Sequence, residues 1–166
     1  MSEQKRGSGG VPPRRDRLLK EERHDPYRAK SKLADPTGCP ECGACFREGR
    51  WTWRAAPAEA PRETCPACRR IQDDYPGGYV TLEGEFVRDH EEEILGLARN
   101  VEERERSEYP LQRLMGIAKQ EGGLLITTTD AHLANAIATA LRHAYQGELD
   151  STWAKGESLL RATWRR

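Results

Sequence analysis

The sequence predicts an α+β fold, a cysteine-knuckle ribbon followed by a small β-α-α-β-α domain, and three observations carry that prediction. Two Cys-x-x-Cys pairs, Cys39-Pro40-Glu41-Cys42 and Cys65-Pro66-Ala67-Cys68, have 22 residues between them. A tolerably alternating run at Tyr79–Val87 is followed by apolar residues at helical spacing, Ile94, Leu97, Ala98 and Val101. A short apolar and β-branched run, Leu124–Thr128, leads directly into an alanine-rich helical pattern.

The cysteine spacing has a physical reason. Four thiolates on two tight turns can surround one Zn²⁺ tetrahedrally, with the intervening residues forming the arm of a zinc ribbon. Pro40 and Pro66 fix φ just after the first Cys of each pair. Gly43, after Cys42, permits the left-handed backbone that turns amide N–H groups toward sulfur. A fifth cysteine makes an overlapping pair, Cys42-Gly43-Ala44-Cys45, but Phe46 follows it and resists positive φ. The expected ligands of one structural Zn²⁺ are therefore Cys39, Cys42, Cys65 and Cys68, and Cys45 is left as a free thiol. A closed four-thiolate set points away from catalytic zinc, which keeps an open position.

Two disulfides are the alternative, and they belong to exported proteins. The N-terminus, Met1–Gly7, lacks the apolar stretch of a secretory signal, and no apolar run approaches the roughly 20 residues of a membrane span. The expectation is a cytoplasmic protein that makes no membrane contact. With 36% hydrophobic and 33% charged residues the chain buries only a modest core, so metal is expected to replace packing in the ribbon.

Residues 1–35 are expected to be a flexible basic arm, 36–72 the zinc ribbon, 76–150 the α/β domain and 151–166 a basic C-terminal tail. The arm is marked by Gly7-Ser8-Gly9-Gly10 and Pro12-Pro13, then Arg14, Arg15, Arg17, Lys20 and Arg23; Asp25-Pro26-Tyr27 reads as a turn. A zero net charge hides segregation: residues 1–30 carry +4, 31–71 carry +2, 72–150 carry −9 and 151–166 carry +3. Basic ends and ribbon around an acidic globule suggest that the ribbon half and the tail meet a polyanion; equally, the acidic part is an ordinary solvated surface.

In the α/β domain a strand opens at Gly77-Gly78. Asp89 stands in the N-cap position of the next helix, with Glu92 in the capping-box place, and that helix runs to about Arg106. A second helix is expected from Pro110, carrying Leu111, Leu114, Met115 and Ala118 and stopping at Gly122-Gly123. After the strand at Leu124–Thr128, the last helix turns Leu133, Ile137, Leu141 and Ala144 inward and His132, Asn135, Thr139 and His143 outward, and Gly147 ends it. Thr127-Thr128-Thr129-Asp130 could invite phosphate to a helix N-terminus, but the Asp130 carboxylate already stands at the positive end of the dipole and favours capping. There is no Gly-rich phosphate loop, no Ser/His/Asp arrangement and no persuasive carboxylate pair, so no enzyme is expected.

In the ribbon, Gly49-Arg50-Trp51-Thr52-Trp53-Arg54 places Trp51 and Trp53 on one strand face and Arg50, Thr52 and Arg54 on the other. One reading is a stacking platform for unpaired bases, with Arg47, Arg50, Arg54, Arg69 and Arg70 meeting phosphates. The other is that the rings cover the metal site or dock against the second domain.

The two CPxC knuckles, Gly78-Tyr79-Val80-Thr81-Leu82-Glu83-Gly84, the charged amphipathic helix and Gly123-Leu124-Leu125-Ile126-Thr127-Thr128-Thr129-Asp130-Ala131-His132-Leu133-Ala134 together resemble a short bacterial zinc-ribbon family over about residues 24–166. That family is itself similar, more weakly and mostly in the order of elements, to the nonsense-mediated decay protein three family of large-ribosomal-subunit adaptors. The resemblance implies association with ribosomal RNA or the large ribosomal subunit, with Cys39, Cys42, Cys65 and Cys68 in the metal role. The chain departs from the larger relatives in having one ribbon and none of their later domains, so no binding location carries over. The expected function is a non-enzymatic, zinc-binding protein associated with ribosomal RNA or a ribosomal particle. Two alternatives stand beside it: a protein–protein adaptor docking through its acidic helices, and a thiol/zinc redox sensor using Cys45.

Overall fold

A computed structural model describes residues 25–27, 31–154 and 158–166. It contains two sheets. The first is a three-stranded antiparallel ribbon of β1 (Thr37–Gly38), β2 (Cys45–Arg47) and β3 (Arg50–Thr52). Glu48 (φ +51°) and Gly49 (φ +83°) form the β2–β3 turn, both left-handed as a tight two-residue hairpin needs. Helix α1 (Pro66–Asp73) grows out of the second cysteine knuckle, with Pro66 in the first turn where its missing N–H costs nothing.

The second sheet has strands β4 (Gly78–Glu83), β5 (Leu114–Gln120), β6 (Gly123–Thr128), β7 (Glu148–Trp153) and β8 (Leu160–Arg165) in the order β5-β6-β4-β8-β7. Helices α2 (Glu85–Asp89), α3 (Glu91–Glu108) and α4 (Ala131–Tyr145) complete it. β4 pairs antiparallel with β6 and parallel with β8, so that Val80, Ile126 and Ala162 stand in one row. All three are buried, as are Leu82, Leu124, Leu160 and Trp164. These residues meet Ile94, Ala98 and Val101 of α3 and Leu133, Ala134, Ile137, Ala138 and Leu141 of α4. Gly78 lets α4 lie against β4, since a Cβ there would overlap Ala134 and stand 2.5 Å from Thr128 Oγ1.

The α+β class and the Cys-bearing N-terminal unit agree with the sequence expectation; several elements do not. The strand expected to reach Val87 stops at Glu83, because Gly84 takes φ +112° against Arg166 and the chain then enters α2. Asp89 caps nothing: it closes α2, and His90 sits at the N-cap of α3 without a side-chain cap bond, the negative charge of the first turn coming from Glu91, Glu92 and Glu93.

The helix expected from Pro110 to Gly122 is β5. Its helical spacing of Leu111, Leu114, Met115 and Ala118 is overridden by the hairpin to β6, turned at Gly122 (φ +81°), which gives β6 a partner on its second edge. A bulge between Leu114 and Gly116 absorbs the mismatch. Ala144 is exposed rather than inward, the other predicted inward positions of α4 being buried. Asp130 caps that helix as expected, its Oδ1 accepting from the backbone N–H groups of His132 (2.7 Å) and Leu133 (3.2 Å).

The basic tail is the largest correction. Residues 148–153 form the edge strand β7, and 160–165 form β8, which lies between β4 and β7 with Leu160, Ala162 and Trp164 buried and Arg161, Thr163 and Arg165 facing the other way. Its basic charge masks a period-two strand. Of the expected arm, residues 1–24 and 28–30 lie outside the described residues. Asp25-Pro26-Tyr27 is a turn, tied to α1 by a 2.8 Å bond from the Tyr27 hydroxyl to Asp73 Oδ2.

Candidate metal centre

The first knuckle runs from β1 into β2. The Cys39 N–H donates to Ala44 O (2.7 Å), the Gly43 N–H to Cys39 O (3.1 Å), and Gly43 takes φ +81° at the turn. A bridge on Gly38 brings the second knuckle alongside: Gly38 N donates to Pro61 O (2.9 Å) and Glu63 N to Gly38 O (3.0 Å). Cys65 then serves as N-cap of α1, its Sγ accepting from Cys68 N at 3.4 Å. One turn of helix carries Cys68 to the same side as Cys65.

This geometry gathers Cys39, Cys42, Cys65 and Cys68, whose sulfurs all lie within 4.8 Å of one another, a set that can hold one metal ion. Cys39 and Cys68 are 3.9 Å apart and Cys42 and Cys65 3.8 Å. A tetrahedral tetrathiolate with metal–sulfur bonds of about 2.3 Å has sulfur–sulfur edges of about 3.8 Å, so the donor set fits such an ion. It does not fit disulfides, whose sulfurs stand about 2.05 Å apart, and all five cysteines are free.

Backbone N–H groups face the sulfurs, from Ala44 to Cys42 (3.5 Å) and from Cys65 to Cys39 (3.3 Å). Cys39, Cys65 and Cys68 are buried and Cys42 half-buried. Burial pushes the Cys39 thiol up, but N–H groups of Cys65, Cys42 and Glu41 outweigh it and bring it down to about 7. Burial dominates at Cys65 and Cys68 and pushes both thiols up.

One contributor to the site escaped the sequence reading. Arg113, just ahead of β5, is only 6% exposed and aims its guanidinium at the cluster. Nη1 donates to Cys68 Sγ (3.4 Å), and Nη2 to Cys42 and Cys65 Sγ (3.2 Å each). Burial disfavours its charge, yet the bond to Cys68 and the neighbouring Cys42 and Cys65 thiols outweigh that and hold its pKa above the ordinary value. The apolar spacing of its segment predicts a helix, and no local pattern marks an arginine that acts across the fold.

Cys45 is outside the set. It sits on β2 with no exposed surface, its Sγ–H directed at Phe46 O (3.8 Å), so it offers no accessible thiol to a redox-sensing role. Trp51 and Trp53 both pack, half-buried, against the cysteine cluster. Trp51 also meets Phe46 edge-on at 5.7 Å, while Trp53 Nε1 donates to Arg106 O at the end of α3 (2.6 Å) and lies beneath that arginine's guanidinium. Both rings thus lie against the cysteine cluster, and Trp53 also ties it to α3.

The arginines divide as well. Arg50 and Arg54 are exposed, as is Arg62, an arginine outside the set expected from sequence. Arg47 is tied to Ala55 O (3.1 Å), and Arg69 pairs with Glu63 (2.9 Å). Arg70 leaves the phosphate-facing set: it is 6% exposed, bonded to Asp25 (2.9 Å) and Tyr75 O (3.1 Å), and stacked over Tyr27.

Among the described residues, no helix is long and apolar enough to cross a membrane. Searches against family models, curated proteins and solved structures found no match to this chain.

Proposed function

We propose that this is a non-enzymatic, zinc-binding cytoplasmic protein that associates with ribosomal RNA or a ribosomal particle. Zinc is the ion of choice because four cysteine thiolates at tetrahedral edges suit it, and a closed site lined by N–H donors holds an ion without presenting it to substrate. The observation that carries the RNA part is the exposure of Arg50, Arg54 and Arg62 on a unit whose cysteines and tryptophans are turned inward. A metal-fixed ribbon with outward guanidinium groups suits a phosphate backbone. The charge segregation and the resemblance to large-subunit adaptors support the same reading.

Sedimentation of the tagged chain from native lysate tests it: the chain should travel with the large subunit or its precursors and shift to the top of the gradient after RNase. Arg50→Glu with Arg54→Glu should weaken binding severalfold while leaving metal content intact. The same double variant should make the salt dependence shallower by about 1.5, each lost phosphate contact removing about 0.7–0.9 from the log–log slope. Migration at the top of the gradient under all conditions, or unchanged affinity in the double variant at moderate salt, would remove this reading. A protein–protein adaptor is the second reading, favoured by the exposed acidic residues Glu92, Glu93, Glu103 and Glu108 of α3. Its signature is a salt-insensitive, RNA-free complex.

A further inference from the structure

We infer that Arg113 couples the metal-loaded state of the cysteine unit to its seating on the five-stranded sheet domain. The residue is anchored on the sheet side by its backbone. Its N–H donates to Thr129 Oγ1 (2.9 Å), and its carbonyl accepts from Thr129 N–H (2.9 Å) at the junction of β6 and α4. The neighbouring Leu114 N–H donates to Glu102 Oε1 of α3 (2.9 Å). Nε donates back to Pro110 O (2.9 Å), which fixes the plane of the fork. The two N–H bonds of Nη2 are shared between Cys42 and Cys65, one from each knuckle, while Nη1 takes Cys68.

A planar fork can meet three sulfurs from two knuckles only while something holds those sulfurs together. A divalent ion does so, and it leaves a tetrathiolate with two formal negative charges for the guanidinium to offset. With the ion removed the knuckles can part. A guanidinium that is only 6% exposed is then left without its partners, which is strongly unfavourable, so the segment from Pro110 to Leu114 must loosen with it. Arg113 is thus a positioning residue that passes the state of the metal site to the start of β5 and to the β6–α4 junction. This inference rests on the metal-binding reading above, but not on the RNA reading.

The full chain, reduced and either reconstituted with Zn²⁺ or stripped by chelation, tests it by amide hydrogen exchange. In the wild type, stripping should raise exchange at least tenfold in peptides covering residues 110–114 and 129, with the central β4 and β8 peptides little changed. Arg113→Gln should still bind one zinc, yet show fast exchange in those peptides with or without it. Arg113→Lys, which keeps the charge but not the fork, should recover part of the protection, and it decides the matter should the Gln variant not fold. With Co²⁺ in place of zinc, loss of the N–H···S bonds in Arg113→Gln should move the thiolate-to-metal charge-transfer band to lower energy, a shift that a purely steric role would not produce. Wild-type protection in both zinc-loaded variants, an unmoved cobalt band, or stripping without effect on the wild type overturns the coupling. A wild-type chain that takes up no zinc on reconstitution overturns the metal reading itself, and this inference with it.

Discussion

A chain ended at Asp150 is expected to lose the cooperative folding of its sheet domain. The deletion takes β8 and, with it, the second half of β7, and leaves β4 with an open edge. It also removes Leu160, Ala162 and Trp164 from the core that α4 covers. Trp164 is the largest fully buried side chain, and its Nε1 donates to Gln146 O at 2.7 Å. Truncating a buried tryptophan to alanine alone costs about 3–5 kcal/mol, against a total stability of about 5–15 kcal/mol for an ordinary domain. Losing the whole strand should exceed that total. Urea titration followed by far-UV circular dichroism reads the result, and Trp164→Ala supplies the graded version, with a midpoint lowered by a loss of about 3–5 kcal/mol. A truncated chain that unfolds as cooperatively as the full one would show that β8 is dispensable and that the central position assigned to it is wrong.

The second large effect is expected at the metal centre. One ion per chain should be bound, and Cys42→Ser should lose it whereas Cys45→Ala should keep it, because only the first of these sulfurs lies in the four-thiol cluster. The buried core around the knuckles is small: Cys39, Ala44, Cys65, Ala67 and Cys68, with Trp51, Trp53 and Leu111 packed on it. Structural zinc contributes an apparent 10–16 kcal/mol, roughly, in small metal-folded units, more than such a core can replace. Chelation should therefore release both tryptophans to solvent, read as a red shift and quenching of their fluorescence. Metal retention by Cys42→Ser, or its loss from Cys45→Ala, would falsify the assignment.

The pH dependence has a definite sign. Burial holds the metal-free Cys65 and Cys68 thiols above their ordinary range, so both are neutral at pH 7, and Cys39 titrates near about 7. An ion must displace those protons. Affinity should rise with pH through and above 7, and the metal should be released as pH falls; a pH-independent affinity would contradict thiolate ligation.

How far the sequence spoke depended on whether a structural cause was local. The knuckles were legible because ligand spacing and the Gly43 turn are short-range, and α4 was legible because Leu133, Ile137 and Leu141 repeat at helical period beside an aspartate cap. β5 was not: its apolar spacing satisfies a helix, and only the partner strand β6 decides otherwise. β8 alternates Leu160, Ala162 and Trp164 with Arg161, Thr163 and Arg165, yet its basic charge equally suits a solvated tail. In sequence Arg70 is indistinguishable from the exposed Arg50 and Arg54; only the fold places it against Tyr27 and Tyr75. Arg113 had no local signature, since its partners lie 45, 48 and 71 positions away.

The parallel pairing of β4 with β8 also sets a timetable. Its two strands are joined late in any folding route: Glu83 and Arg165, ion-paired across it at 2.6 Å, are 82 positions apart. Distant pairing is slow because a long loop must close before any contact rewards it. The knuckles need only short-range turns and an ion, so the metal unit should mature first and wait as a preformed piece for the sheet to close. In refolding from urea with zinc present, the Trp51 and Trp53 signal should precede recovery of the sheet's far-UV signal; simultaneous phases would mean the two halves assemble as one nucleus. The thiolate cluster would then serve as a template on which Arg113, arriving with β5, finds its place.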